Sequence, residues 1–302
     1  MTDAGRPAAS PSRDQLVWVL QLVGGDAVTE VKPLKAGGSQ WLITWGDAHG
    51  GGSAVLRVGG PDDADQQARA ETAMPIADLQ GVPVPNVLGS RVDDESSLLL
   101  VEWIDGASAQ PIEASPVRLE ALGAMAATIF RSNLGDLELP EVARPIDGVD
   151  FAALRAASPH PLLERAARRL DGIEAEGRTG LVHGDLWSGN TLWRDGGLVA
   201  VIDWGCAGAG RAGVDLGSLR LDAAMNWGQE ASAHVLAGWE REAGEPAQDL
   251  AYWDAVAAVN TPPDLGWFVE STIEAIARPD LTRELMVARR DAFLADALDR
   301  LR

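Results

Sequence analysis

Between Asp14 and Val23 the apolar residues Leu16, Val17, Val19, Leu20 and Val23 recur at helical spacing, and Gly24-Gly25 follows as a stop. A short opening helix is the prediction. The period then changes. Residues 28–34, 41–45 and 53–58 are rich in strand-forming side chains and are separated by Ala36-Gly37-Gly38-Ser39 and by a glycine-rich stretch at 47–52, which predicts a meander of three strands. A helical pattern of Ala, Met and Ile returns over 62–79 and is ended by Gly81, Pro83 and Pro85. Residues 87–92 and 97–104 flank the turn Asp93-Asp94-Glu95 and predict an antiparallel pair.

Beyond Gly106 the pattern becomes mainly helical, with helices expected over 116–132, 150–157 and 161–176 and several more from Val214 onward. One exception interrupts them. From Gly180 to Trp204, strand-like apolar pieces surround a polar loop and the tight turn Asp195-Gly196-Gly197. A mostly β first third joined to a mostly α remainder predicts an α+β chain of two lobes, 1–105 and 106–302, with a cleft between them. The 302 residues are enough for two moderate cores.

Composition narrows the possibilities. Hydrophobic content of 46% and charged content of 23% are those of a folded globular chain. The first residues are polar and lack the apolar core of a secretory signal, and no run of 18 apolar residues exists to span a bilayer. A single cysteine, Cys206, cannot form an internal disulfide, in keeping with a reducing compartment, so a cytoplasmic location is expected. The net charge of −20 argues against nucleic acid as a partner. It leans toward a cationic ligand, although an acidic surface equally serves solubility.

The informative segment is Leu181-Val-His183-Gly-Asp185-Leu-Trp-Ser-Gly-Asn190, followed after a hairpin by Val201-Ile-Asp203-Trp204. Phosphoryl transfer to a hydroxyl needs charge neutralisation on the nucleotide, an oriented nucleophile and a destination for a proton. Asp185 can accept the proton. Asn190 and Asp203 offer the hard oxygen ligands that suit Mg²⁺, and a hairpin of this length brings Asp203 back beside Asn190. His183 suits a structural role, holding the loop through hydrogen bonds.

This segment resembles the aminoglycoside phosphotransferase and choline kinase-like superfamily, relatives of protein kinases, whose His-x-Asp-x₄-Asn loop and later metal-binding Asp are matched by His183, Asp185, Asn190 and Asp203. The resemblance implies a protein-kinase-like two-lobed fold, with a small antiparallel β lobe and a larger helical lobe, and ATP and Mg²⁺ as cofactors. It further implies that Asp215, in Gly210-Arg-Ala-Gly-Val-Asp215, braces the catalytic loop. In the first lobe it implies nucleotide contacts from Gly37, Gly38 and Ser39. Arg57 takes the position usually held by a lysine or arginine, Glu71 is its expected ion-pair partner, and Glu102, Trp103 and Ile104 form a hinge that meets adenine. The acceptor is expected to be a small hydroxyl compound such as an aminoglycoside, an amino sugar or an amino alcohol. Tryptophans 227, 239, 253 and 267 are expected mainly in the core, with one or two free to stack on the acceptor, and Asp222, Glu230, Asp254 and Glu270 are available to attract an amine. A nucleotide- or metabolite-binding pseudoenzyme is the main rival, disfavoured by the complete set of Asp185, Asn190 and Asp203. A protein kinase is disfavoured by the short interval between Asp203 and Asp215.

Overall fold

The computed structural model describes residues 10–34, 38–48, 50–135, 139–173 and 175–301, so Gly37 and the extreme N-terminus lie outside the described residues. Helix α1 (Arg13–Val23) opens with a reciprocal cap. Ser12 Oγ accepts from the Gln15 N–H while Gln15 Oε1 accepts from the Ser12 N–H, which satisfies two donors that a helix start leaves over. Strands β1 (Ala27–Pro33), β2 (Gln40–Gly46) and β3 (Gly52–Gly59) form the expected meander, followed by α2 (Ala64–Asp78), β4 (Val87–Val92) and β5 (Ser97–Glu102). These strands make an antiparallel sheet in the order β1-β2-β3-β5-β4.

Strand alternation sorts the side chains of this sheet. Ile43, Ala54, Leu56, Leu98 and Leu100 pack with Val19 of α1. Val55, Arg57, Leu99 and Val101 have the opposite parity and line the cleft on the other face, partly covered by Ala70, Ala73, Met74 and Ala77 of α2. Arg57 therefore reaches the cleft by its register with Val55 on β3.

Past Glu102 come α3 (Pro116–Phe130), β6 (Glu141–Val142), α4 (Phe151–Ala157), α5 (Pro161–Leu170), β7 (Gly180–Val182), β8 (Thr191–Arg194), β9 (Gly197–Val201) and β10 (Gly208–Gly210). The chain ends in α6 (Gly213–Trp227), α7 (Ala231–Ala243), α8 (Leu250–Val259), α9 (Gly266–Ile276) and α10 (Arg283–Arg300). Helix α5 is shorter than its sequence pattern suggests, because Asp171 is extended and Gly172 takes a φ of 76°. Strands β8 and β9 form a hairpin whose turn residues Asp195 and Gly196 both have positive φ, 51° and 82°, as a two-residue type I′ turn requires.

Helix α6 is buried almost throughout and packs on α3, α7, α8 and α10, which makes it the axis of the second lobe. At the crossing of α3 and α7 the backbones nearly touch. A Cβ on Gly123 would lie 1.9 Å from the Val235 carbonyl oxygen, and one on Gly238 would lie 2.0 Å from that of Glu120. Between α6 and α8 the Arg220 guanidinium grips the wholly buried Asp254 with bonds of 2.8 and 2.9 Å, and Arg300 adds a third at 2.9 Å. Asp254 is thus neutralised inside the core and is not offered to an amine. Among the described residues no helix is long and apolar enough to cross a membrane.

Candidate active site

The loop between β7 and β8 is held by two carboxylates of α6. Asp215 accepts from the His183 N–H at 2.7 Å and from the Gly184 N–H at 2.9 Å. Gly184 has φ 78°, and a Cβ there would lie 2.1 Å from the Cys206 carbonyl oxygen, so the bend between His183 and Asp185 admits only glycine. Seven residues after Asp215, and so on the same face of α6 two turns later, Asp222 accepts from the Ser188 N–H at 3.1 Å and from Asn226 Nδ2 at 2.8 Å. Burial pushes both carboxyls up to about 6. Asp222 thus braces the loop and is not free for an amine, and its seven-residue spacing from Asp215 is the sequence signal that marks it.

His183 is wholly buried. The Asp185 N–H donates to Nδ1 at 3.3 Å and the Ile202 carbonyl lies 2.9 Å from Nε2, a pattern that selects the neutral tautomer protonated at Nε2. Burial pushes the imidazole down to about 4. With both ring nitrogens engaged, it ties this loop to the end of β9.

Asn190 Nδ2 donates to the Asp185 carbonyl at 2.8 Å and to Asp185 Oδ2 at 3.1 Å. The Ile202 N–H donates to the Asn190 carbonyl at 2.9 Å, closing the hairpin and returning Asp203 beside Asn190. Asp203 adopts φ 65°, ψ 57°, a left-handed conformation that is uncommon for a non-glycine residue and is concentrated at functional turns. From the other lobe, Arg57 Nη1 comes within 3.4 Å of Asp203 Oδ1, while its Nη2 donates to Gln66 Oε1 at 2.8 Å.

The expected Arg57–Glu71 ion pair does not form. Glu71 accepts instead from Gln67 Nε2 at 2.7 Å. The reason is helical phase: Gln66 lies in the first turn of α2, opposite β3, and Glu71, five residues on, is rotated about 140° from it.

A cavity of about 330 Å³ lies between the lobes, with Val55, Ala70, Met74, Leu99 and Val101 as apolar lining and Arg57, Asn190 and Asp203 as polar lining. Glu102, Trp103 and Ile104 also line it. The Glu102 N–H, however, is spent on the Asn86 carbonyl at 2.9 Å and its carboxylate accepts from Asn86 Nδ2 at 2.7 Å. Trp103 and Ile104 follow the end of the strand ladder and line the cavity. Gly38 and Ser39 do not line this cavity. The Ser39 carbonyl accepts from the Val58 N–H at 2.8 Å, and the adjacent lining comes from Leu34 and Gln40.

A second cavity, of about 170 Å³, is lined by Asp185, Trp187, Asp222, Trp267 and Phe268 among others. Trp267 is half exposed there and packs on Phe268 with ring centroids 4.4 Å apart and planes tilted by 57°, whereas Trp239 and Trp253 are buried in the core. Glu230 is exposed outside the lining, and Glu270 is exposed and paired with Arg283. Cys206 is inert: burial, aided by the charges of Asp185 and Asp203, pushes its thiol up to about 12.

The donor set at Asn190 and Asp203 fits magnesium. Both amide hydrogens of Asn190 are directed to Asp185, which leaves its side-chain oxygen as the group able to meet a cation, beside a carboxylate that is one-third exposed. Two hard oxygen donors suit an ion that takes its remaining ligands from phosphates and water.

The antiparallel first lobe, the helical second lobe and the loop from His183 to Asn190 at their junction define a protein-kinase-like architecture. The sequence profile of the phosphotransferase enzyme family matches residues 30–259, and the chain belongs to that family. No curated protein sequence matches it. Among solved structures it is similar to a macrolide 2'-phosphotransferase from Brachybacterium faecium, at 20% identity and a TM-score of 0.61 over 95% of this chain and 98% of that one. It is also similar to an aminoglycoside-3'-phosphotransferase of type VIII, at 20% identity and 0.59 over 80% and 97%, and to a spectinomycin phosphotransferase in complex with ADP and its antibiotic, at 15% and 0.59 over 95% and 100%.

Proposed function

We propose that this phosphotransferase moves the γ-phosphoryl group of ATP, bound with Mg²⁺, to a hydroxyl of a small molecule. The observation that carries the reading is the junction of the two cavities: Asn190 and Asp203 line one, Asp185 lines the other, and Asn190 Nδ2 bridges to Asp185. Support also comes from similar structures that hold ADP or AMP-PNP together with hygromycin B. The lobes divide near residue 105, so the nucleotide lies between the sheet and the catalytic loop.

Asn190 and Asp203 would hold the metal, which when bound neutralises phosphate charge. Arg57, freed from Asp203 by the nucleotide, holds phosphate oxygens with its fork of donors. Asp185 orients the acceptor hydroxyl in line with the γ-phosphorus and accepts its proton as the new O–P bond forms and the bond to the β-phosphate oxygen breaks, with ADP leaving. Asp215, Asp222 and His183 fix the loop that carries Asp185. A coupled ADP-release assay with Mg-ATP and a panel of hydroxyl acceptors tests the reading: acceptor-dependent release with a phosphorylated product supports it, and nucleotide binding without transfer to any acceptor contradicts it.

A further inference from the structure

We infer that the acceptor is a neutral hydroxyl compound with an apolar face, and that the cavity beside Asp185 disfavours polyamines; this rests on the phosphotransfer reading above. The chain is strongly acidic, with a net charge of −20, but the carboxylates that line this cavity are already engaged. Among the described residues lining it, the carboxylates are Asp185 and Asp222. Asp185 is committed to the reaction, and the Asp222 oxygens accept from Ser188 and Asn226 inside the protein.

Two guanidinium groups stand behind the wall. Arg144 donates to the Ile146 carbonyl and to Asn260 Oδ1, both at 3.2 Å, and both of those residues line the cavity. It forms no ion pair among the described residues. Arg289 donates to the carbonyl of Met225, another lining residue, at 3.0 Å. An ammonium group entering here would give up water against aromatic and aliphatic walls, while the two guanidinium charges offset the two lining carboxylates. The half-exposed Trp267 ring, supported by Phe268, instead offers a flat apolar surface to a ring or alkyl face. The volume of about 170 Å³ is below the usual range for a whole drug-sized ligand, so it encloses one part of the acceptor, with the reacting hydroxyl at Asp185.

The test is calorimetric titration of the protein loaded with Mg-AMP-PNP, using phenyl β-D-glucoside, methyl β-D-glucoside and phenyl β-D-glucosaminide at about pH 6.5, where the amine is charged. The phenyl glucoside should bind about tenfold more tightly than either of the others. Trp267→Ala should weaken it about tenfold and Trp267→Phe should largely restore it. Ser271→Asp, at an exposed lining position, should improve binding of the glucosaminide. Equal or tighter binding of the glucosaminide, indifference to Trp267→Ala, or no saturable binding of the phenyl glucoside overturns the inference. Titration with Mg-AMP-PNP alone separates the two levels: failure to bind nucleotide contradicts the phosphotransfer reading, while normal nucleotide affinity with a preference for the amine contradicts only the acceptor class.

Discussion

Replacing Asp215 by Asn separates what this carboxylate does for the loop from what it does to stability. The aspartate accepts from two buried backbone N–H groups, those of His183 and Gly184. An asparagine has one acceptor oxygen to give them. Its amide nitrogen would face the second N–H, leaving a buried donor unpaired at a cost of about 1–3 kcal/mol. A shift of the loop by about 1 Å moves Asp185, and misplacement on that scale lowers kcat by about 10²-fold.

The pH dependence of this variant runs in two directions. Burial holds the Asp215 carboxyl at about 6 in the folded protein against an ordinary value of 3.8, so the folded chain keeps a proton that the unfolded chain releases. That contribution to stability is complete below 3.8 and is lost as pH rises through about 6, an amount of about 3 kcal/mol. The stability deficit of Asp215→Asn relative to wild type should therefore be largest in acid and narrow toward about pH 7.5. The ratio of wild-type to variant kcat should do the reverse, because the two-acceptor carboxylate exists only above about 6. Urea unfolding and ADP release across this range measure both. Deficits that move together, or a variant with wild-type kcat at neutral pH, would refute the reasoning.

Arg57→Ala should weaken ADP binding by about tenfold or more, as expected for loss of charge-assisted bonds to phosphate, with Arg57→Lys intermediate, both read by titration calorimetry. Gly238→Val should lower the melting temperature markedly, since the added carbons meet the Glu120 carbonyl; an overpacked helix crossing costs about 1–3 kcal/mol. Native protein should leave Cys206 unmodified by a disulfide thiol reagent at neutral pH and react once denatured, because a thiol near 12 carries almost no thiolate.

What the sequence reveals of this site depends on how local each feature is. The span from His183 to Asp203 is legible because its parts are joined by one hairpin, and Asp195-Gly196 states the turn type in its residues. The partner of Arg57 is not legible in the same way. It depends on where α2 begins, and a start at Ala64 turns Gln66, not Glu71, toward β3. The spent Glu102 N–H is likewise hidden, because Asn86 lies across a turn of chain outside any repeating pattern. The cavity beside Asp185 is the least legible feature. Its wall is assembled from Ile146, Trp187, Met225, Asn260 and Trp267, residues scattered through the second lobe, and the overall charge says nothing of the two guanidinium groups that stand behind it.

The central claim is that Asp185 takes the acceptor's proton while Asn190, Asp203 and Arg57 serve the nucleotide. It is tested most directly by single-turnover phosphoryl transfer in Asp185→Ala, with nucleotide affinity measured on the same preparation. The account predicts a fall in the transfer rate of about 10²–10⁴-fold with the affinity for Mg-AMP-PNP essentially retained. Transfer at the wild-type rate would contradict it.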